Sequence, residues 1–279
     1  GEAGGDRFRL RGLSADMPQK VGCQLGGPLT VCTTGDYPPL TSRDNQGMVS
    51  GLDPILIRKF AAINNYAVEF VPTTWPTLSA DLASGSKCLL AVGGISRTPA
   101  RAQEFVLSEG FLADRKVPIF SKTSAERFAS SEDLDKPGVT LLENKGGTNM
   151  AFVEKLRRNG ILTRAEMQIL PANEEVYACL DQYPDKPLVM FTDLAEVEYR
   201  VAKPGSVLSD AGTRFDIPLD PELHKVFLAQ NTSAGRAITA EVDAFLAAAK
   251  SDGRFQRWKQ EAFSADYQST RASCPLSVS

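Results

Sequence analysis

Two acidic side chains follow an apolar segment that is long enough to form a buried strand. In the stretch "PLVMFTDLAEVEYR", Asp193 comes directly after the apolar residues and Glu196 follows three positions later. A strand ending near Asp193 and a helix starting after it would place the two carboxyl groups close together. Such a pair can hold a cationic group, donate a proton or stabilise the N-terminus of the helix. The spacing alone leaves these three roles open.

The segments around this pair alternate between strand and helix patterns. Apolar runs such as "AVEFV", "CLLAVGG" and "PLVMF" predict buried strands. Segments such as "LDPILIRKFAAINNY" and "NEEVYACLDQY" have apolar residues at helical spacing, and we expect Asp53 and Asn173 to cap these two helices. The alternation predicts an α/β fold with parallel or mixed sheets flanked by helices. Because the pattern occurs in two blocks, we expect two lobes with a hinged cleft between them.

The two blocks give approximate domain boundaries. We expect an N-terminal extension at residues 1–27 and a first lobe made of two separate segments, 28–116 and 220–265. A second lobe should occupy residues 117–219, and a loose polar tail should follow at 266–279. In α/β lobes, ligands bind beyond the carboxyl ends of parallel strands. The loops that follow the strands should therefore form the binding site.

Composition excludes several classes of function. The chain has 279 residues and a formal net charge of −3, so nothing indicates a nucleic-acid or anionic membrane partner. No apolar stretch reaches the length of a membrane span. His224 is the only histidine, and we expect it at the surface of a helix that includes "DPEL". A histidine-based triad and a multi-histidine metal site are therefore excluded.

The five cysteines do not have the spacing of a zinc site. Cys23 and Cys274 lie near the two ends of the chain, and chain ends often meet in a folded domain. A disulfide between them is one prediction, provided that the protein is exported. The alternative is that all five cysteines are small apolar fillers or free thiols.

Several segments in chain order resemble the family 3 periplasmic solute-binding proteins. They are "CTTGDYPPLTSRDNQGMVSGLDPILIRKFA", "GGISRTPARAQEFVLSEGF", "GGTNMAF", "FTDLAE" and "SDGRFQRWKQEAF". The resemblance implies a type II periplasmic-binding-protein fold in a periplasmic or secreted protein. The combination "TTGDY", "VPTTWPTL", "AVGGIS", "GGTN" and "TD" is similar to one enzymatic branch, the cyclohexadienyl dehydratases. That branch converts prephenate to phenylpyruvate, or arogenate to phenylalanine, with loss of water and CO2 and without metal or organic cofactor.

The resemblance assigns a carboxylate-binding group to the cleft. Arg101 matches the arginine that holds the ligand carboxylate, and a guanidinium can do so with two parallel hydrogen bonds. Ser96 and Gly94 match positions that bind the same carboxylate through a hydroxyl and a backbone N–H. Thr148 adds a hydroxyl at a helix N-terminus, or is simply its N-cap. Asn149 orients the substrate hydroxyl or supports the turn.

The resemblance also assigns ring contacts and a proton donor. Tyr37 and Trp75 match positions that contact the ligand ring, with core packing as the alternative. Asp193 matches the acid that binds the α-ammonium group in amino-acid binders. Glu196 matches the general acid of the dehydratases, and we expect burial and the charge of Asp193 to raise its pKa. The alternative for Glu196 is an idle acid in the first turn of a helix.

Two functions follow from these assignments. The first is a dehydratase that acts on a small carboxylate substrate, either prephenate or arogenate. The second is a non-catalytic amino-acid-binding protein of an ABC transporter. We expect no nucleic-acid partner and no membrane insertion, and the oligomeric state is open. An acid at position 196 separates the two functions, because a binding protein has no use for a proton donor there.

Overall fold

The computed structural model describes residues 27–219, 222–268 and 272–277, and it contains two five-stranded mixed sheets. The first sheet consists of β1 (Leu29–Thr33), β5 (Val68–Pro72), β6 (Leu90–Ala91), β7 (Val106–Leu107) and β15 (Leu228–Ala229). Their spatial order is β5-β1-β6-β15-β7. Strand β1 runs parallel to β5 and β6, whereas β15 runs antiparallel to β6 and β7. The short strands β2 (Asp36–Tyr37), β3 (Thr41–Arg43) and β4 (Val49–Ser50) form a small antiparallel sheet beside it.

The second sheet repeats this arrangement. It consists of β9 (Lys116–Ser121), β10 (Thr140–Asn144), β11 (Glu166–Leu170), β12 (Leu188–Asp193) and β13 (Leu208–Ser209) in the order β11-β10-β12-β9-β13. Strand β10 is parallel to β11 and β12, and β9 is antiparallel to β12 and β13. A separate pair, β8 (Leu112–Asp114) with β14 (Leu223–Lys225), leads the chain into this sheet and back to the first one.

Helices cover the two sheets. They are α1 (Leu52–Asn64), α2 (Leu78–Ala83), α3 (Pro99–Glu104), α4 (Lys122–Ala125), α5 (Gly147–Arg158), α6 (Asn173–Gln182), α7 (Leu194–Ala202), α8 (Ser233–Ser251) and α9 (Arg254–Ser264). Phe60 of α1 packs edge-on against Phe245 of α8 in the first core. The second sheet has one apolar cluster with α5 and another with α6 and α7. The prediction of a two-lobed type II fold with a cleft is confirmed, whereas the residue boundaries of the lobes stay a prediction.

Two predicted helix caps are wrong. Helix α1 begins after Gly51, and Asp53 instead turns inward, where its Oδ2 accepts hydrogen bonds from the N–H groups of Gly93 and Gly94 at 2.8 and 3.1 Å. Helix α6 begins after Ala172, and the side chain of Asn173 points away from its own backbone. In both cases the side chain bonds to a residue that is distant in sequence, which local pattern does not show.

The predictions for the C-terminal part also need correction. His224 is exposed as expected, but it lies in strand β14 rather than in a helix. Cys274 forms a disulfide with Cys179, so the predicted bond between Cys274 and Cys23 is wrong; Cys23 itself lies outside the described residues. A second disulfide joins Cys32 to Cys88. The four bonded cysteines are therefore not free thiols.

The described residues 272–277 of the C-terminal tail are packed against the second lobe rather than loose. The disulfide holds it to α6 through Cys179, and Leu276 contacts the apolar cluster beside that helix. The hydroxyl of Tyr183 also donates to the carbonyl of Leu276 at 3.2 Å. In the parts of the chain that the structure describes, no helix is both long and apolar enough to span a membrane.

Candidate functional site

A narrow cleft lies where loops and strand ends of both lobes meet. Strand β2 and the loop after β5 approach from the first lobe, and the ends of β10 and β12 approach with the first turns of α5, α6 and α7 from the second. The residues that line it are Tyr37, Trp75, Gly94, Asn144, Gly147, Thr148, Asn149, Asn173, Asp193 and Glu196. All ten stand at the carboxyl ends of parallel strands or within five residues after them, as the α/β pattern predicts.

Asp193 lies at the centre of a buried charge cluster. Its Oδ1 is 2.9 Å from the Nζ of Lys116, and its Oδ2 accepts a hydrogen bond from the Nζ of Lys225 at 2.6 Å. The hydroxyl of Tyr37 donates to the same Oδ2. Burial alone would raise the pKa of Asp193, but the charges of the two lysines outweigh it and hold this pKa well below its ordinary value. Asp193 occupies the N-cap position of α7 without capping it.

Lys116 connects this cluster to the N-terminus of α5. Its Nζ donates to Thr148 Oγ1 at 2.7 Å and to Asn149 Oδ1 at 2.5 Å. Thr148 is not the N-cap, because that position belongs to Gly146. The Nδ2 of Asn149 donates to Thr192 Oγ1 at 3.2 Å. Asn149 therefore links the charge cluster to the residue that contacts Glu196.

Glu196 is fully buried at the wall of the cleft. Its Oε2 accepts a hydrogen bond from Thr192 Oγ1 at 2.6 Å, and its Oε1 accepts one from Asn173 Nδ2 at 2.8 Å. Arg200, one turn further along α7, has a guanidinium nitrogen 3.6 Å from Oε1 but forms its closer pair with Glu174 at 2.6 Å. The side chain of Glu198 on the same helix is exposed, as expected.

Burial raises the pKa of Glu196 to about 7. The charge of Arg200 and the hydrogen bonds from Thr192 and Asn173 act in the opposite direction, and the charge of Glu174 adds a smaller increase. The expected direction is correct, but the expected second cause is wrong. The charge of Asp193 is not among the causes of this raised pKa. A carboxyl group with this pKa is largely protonated below neutral pH.

The aromatic wall of the cleft is formed by Tyr37 and Trp75. Their rings meet edge to face, with centroids 6.3 Å apart, and Trp75 Nε1 donates to Asp36 Oδ1 at 3.1 Å. Gly94 has a φ of +71°, and a Cβ at this position would lie 2.1 Å from Tyr37 Cε1. Glycine is therefore required at position 94 so that the tyrosine ring can reach Asp193.

The predicted carboxylate-binding group is only partly directed at the cleft. The N–H of Gly94 donates to Asp53, which differs from the expected donation to a ligand. Ser96 Oγ accepts from Lys225 Nζ at 3.0 Å, and Arg101 Nη1 donates to the carbonyl of Ser96 at 2.7 Å. Ser96 and Arg101 do not line the cleft in this conformation. Arg97 is exposed and donates to the carbonyl of Ser108 at 2.9 Å.

Sequence reasoning missed Lys116, Lys225, Thr192 and Asn173. Each lysine stands at an end of a strand, Lys116 in "RKVPIF" and Lys225 in "HKVFLA", where a charged residue is usually interpreted as solvated. One signal could have found the two lysines. Each stands at the end of an apolar strand, and the chain also has a strand that ends in an acid, which can pair with a buried lysine. Among the described residues, no group of three or more His, Cys, Asp or Glu side chains could hold a metal ion.

The relationship of this chain to known proteins agrees with the fold and the cleft. Residues 29–265 match the bacterial extracellular solute-binding proteins, family 3. The chain belongs to this family. A curated relative, cyclohexadienyl dehydratase of Pseudomonas aeruginosa, is 35% identical over 171 residues, which cover 61% of this chain and 60% of that protein. The alignment thus leaves about two fifths of either protein unmatched.

Solved structures of this family have the same fold. The ancestral amino acid-binding protein AncCDT-1, a precursor of cyclohexadienyl dehydratase, is 24% identical with a TM-score of 0.72, covering 85% of this chain and 96% of that one. An amino acid ABC transporter substrate-binding protein from Streptococcus pneumoniae, bound to L-arginine, is 18% identical with a TM-score of 0.72. It covers 85% of this chain and 94% of its own. At these identities the comparison establishes the fold alone.

Proposed function

We propose that this chain is a cyclohexadienyl dehydratase that removes water and CO2 from prephenate or arogenate, with Glu196 as the general acid. The observation that carries the proposal is the environment of Glu196, a fully buried acid on the cleft wall with a pKa of about 7. A carboxyl group that keeps its proton near neutral pH can give it to a leaving hydroxyl. The curated relative that is 35% identical supports the same reaction.

The reaction needs only one proton donor. The bond between the ring and its carboxylate breaks, and its electron pair forms a ring double bond while the carboxylate leaves as CO2. The ring hydroxyl departs on the opposite side of the ring and takes the proton of Glu196, which makes the leaving group water. The ring becomes aromatic, which supplies the driving force. Glu196 is left as a carboxylate and regains a proton from solvent before the next turnover.

Other residues of the cleft would position the substrate. In this proposal Thr148 binds a substrate carboxylate with help from the N-terminus of α5. Arg101 and Ser96, which do not line the cleft in this conformation, would join it after leaving their present contacts. Tyr37 and Trp75 would pack against the ring. Asn149, which already contacts Lys116 and Thr192, is placed to orient the departing hydroxyl.

Contacts across the cleft support a reaction that is shielded from water. Lys225 and Tyr37 of the first lobe both reach Asp193 of the second, and Asn173 Nδ2 donates to the carbonyl of Asp36 at 3.1 Å. A cleft closed in this way strengthens each charge interaction and lets Glu196 give its proton to the substrate rather than exchange it with solvent. The two disulfides support an oxidising compartment, in agreement with an extracellular family.

The second candidate function is amino-acid binding without chemistry for an ABC transporter. It is supported by the family itself and by the solved relative that holds L-arginine. Such a protein uses an acid to receive the ammonium group of its ligand. The pairing of Asp193 with two lysines of the same chain weighs against that use.

The experiment that tests the proposal is to mix the protein with prephenate and follow the absorbance of phenylpyruvate. Arogenate is tested in parallel by measuring the phenylalanine formed. Turnover of either substrate at a rate proportional to protein concentration supports the dehydratase. Absence of turnover, together with tight binding of an amino acid, would support the transporter subunit instead.

A further inference from the structure

The carboxylate of Asp193 is already paired, unlike the free carboxylate of an ammonium site. Both carboxylate oxygens of Asp193 face a buried lysine, Lys116 at 2.9 Å and Lys225 at 2.6 Å. The side chains of these lysines are 2% and 0% exposed, so water screens their charges only weakly. Asp114 is a second buried carboxylate in the same charge network, but both oxygens of Asp193 are already paired with lysines. An acid that receives a ligand ammonium would need its negative charge unpaired.

The lysines are held in place by further contacts. An ammonium group has three N–H donors. Lys225 uses them on the carbonyl of Gly94, on Ser96 Oγ and on Asp193 Oδ2. Lys116 Nζ likewise contacts Thr148 Oγ1, Asn149 Oδ1 and Asp193 Oδ1. A ligand ammonium group at Asp193 would have to replace the Lys225 ammonium group there, and a buried lysine that loses its carboxylate partner is strongly unfavourable.

We propose that the Lys116–Asp193–Lys225 cluster makes the cleft selective for α-keto acids over α-amino acids. If the chain is the proposed dehydratase, this selectivity makes prephenate its substrate rather than arogenate. That consequence rests on the proposed function, whereas the binding selectivity itself does not. The two compounds have the same ring and carboxylates and differ only in whether the side chain carries a carbonyl or an ammonium group.

The physical reason is the difference in charge. Prephenate brings two negative charges and no positive one, so it does not need the carboxylate of Asp193, whose oxygens are already paired with the two lysines. Arogenate or a free amino acid would also bring an ammonium group, and at Asp193 that group would have to compete with two buried lysines for the carboxylate. Burying a charge without a partner is strongly unfavourable, whereas a carbonyl carries no charge into the cleft.

The test is calorimetric binding of phenylpyruvate and L-phenylalanine to the unaltered protein near neutral pH. Both have an aromatic ring and one carboxylate, they differ only at the α-carbon, and neither can lose water. We expect phenylpyruvate to bind at least tenfold more tightly. Equal binding, tighter binding of L-phenylalanine, or binding of neither compound would overturn the inference.

A lysine substitution tests the cause of the selectivity. In Lys225→Met one ammonium group is removed, and the preference for phenylpyruvate should fall by tenfold or more as Asp193 becomes able to accept a ligand ammonium. Lys155→Met, on the exposed face of α5, should keep the preference of the unaltered protein. An unchanged preference in folded Lys225→Met protein would contradict the assigned cause. If that variant does not fold, the binding comparison on the unaltered protein decides the inference.

The binding test and the turnover test fail in different ways. A preference for phenylpyruvate without prephenate turnover would refute the dehydratase and leave the selectivity standing. Turnover of prephenate and arogenate with equal efficiency, together with equal binding of the two probes, would refute the selectivity and leave the dehydratase standing.

Discussion

Asn173 connects Glu196 to the opposite lobe. Its Nδ2 donates to Glu196 Oε1 at 2.8 Å and to the carbonyl of Asp36 at 3.1 Å. One amide group therefore holds the proposed acid and a first-lobe strand at the same time. The bond to Glu196 lowers the pKa of that acid, whereas burial raises it to about 7. The bond to Asp36 joins the two lobes directly beside Glu196.

The first prediction concerns the pH dependence of activity. The pKa of Glu196 is raised to about 7, and the protonated form is the proton donor. The dehydratase rate at saturating prephenate should therefore be highest below pH 7 and fall as pH rises through about 7. A pH profile of kcat measures this. A rate that rises across the same range would show that the group in question acts as a base.

The second prediction concerns Thr192, which donates a hydrogen bond to Glu196 at 2.6 Å. This bond lowers the pKa of Glu196, so Thr192→Val should raise that pKa and move the falling limb of the pH profile upward by about one pH unit. The control is Thr140→Val. Thr140 is the first residue of β10, at the end of that strand away from the cleft, so this change should leave the falling limb in place. A purely structural role for Thr192 would lower kcat without moving the limb.

The third prediction concerns Gly94. An alanine there would have a strained φ of +71° and a Cβ 2.1 Å from the Tyr37 ring. Gly205 has a similar φ of +76°, but a Cβ at that position meets nothing within 4 Å. Gly94→Ala should therefore lower the free energy of unfolding by about 1–3 kcal/mol more than Gly205→Ala does. Denaturant titration compares the two, and equal losses would mean that Tyr37 moves aside without cost.

The fourth prediction concerns the disulfide between Cys179 and Cys274. Cys274→Ser should lower the free energy of unfolding by about 2–5 kcal/mol, since it frees the C-terminal segment from α6. Cys179→Ser removes the same bond and should have a similar effect. The double variant should be no less stable than the weaker single one. An additive loss would indicate that the two cysteines act independently.

The sequence predicts the fold better than it predicts the chemistry of the cleft. The alternation of strands and helices depends on local spacing, so the two lobes and loops such as those at Tyr37 and Thr148 could be expected from the chain alone. The roles of Asp53 and Asn173 could not, because each side chain bonds to a residue on another element instead of its own helix. Asx side chains near a helix start have both options, and only the tertiary structure selects one.

The pairing of Asp193 with two lysines is the largest departure from the expected site. The resemblance predicts that the carboxylate of Asp193 is free to bind the ammonium group of a ligand. In the structure it is paired with Lys116 and Lys225 instead. Lys225 and Asp193 are 32 residues apart and lie in different lobes, so their pairing has no local signature. Of the two expected causes of the raised pKa of Glu196, burial acts and the charge of Asp193 is not among the causes.

The most direct test of the central claim is the prephenate turnover of Glu196→Gln. Glutamine keeps the shape of the side chain and removes the donated proton, so kcat should fall by about 10²–10⁴-fold while phenylpyruvate still binds. Glu198→Gln, an exposed acid on the same helix, is the matched control and should keep the full rate. A Glu196→Gln variant that binds phenylpyruvate and turns over prephenate at the rate of the unaltered protein would contradict the account.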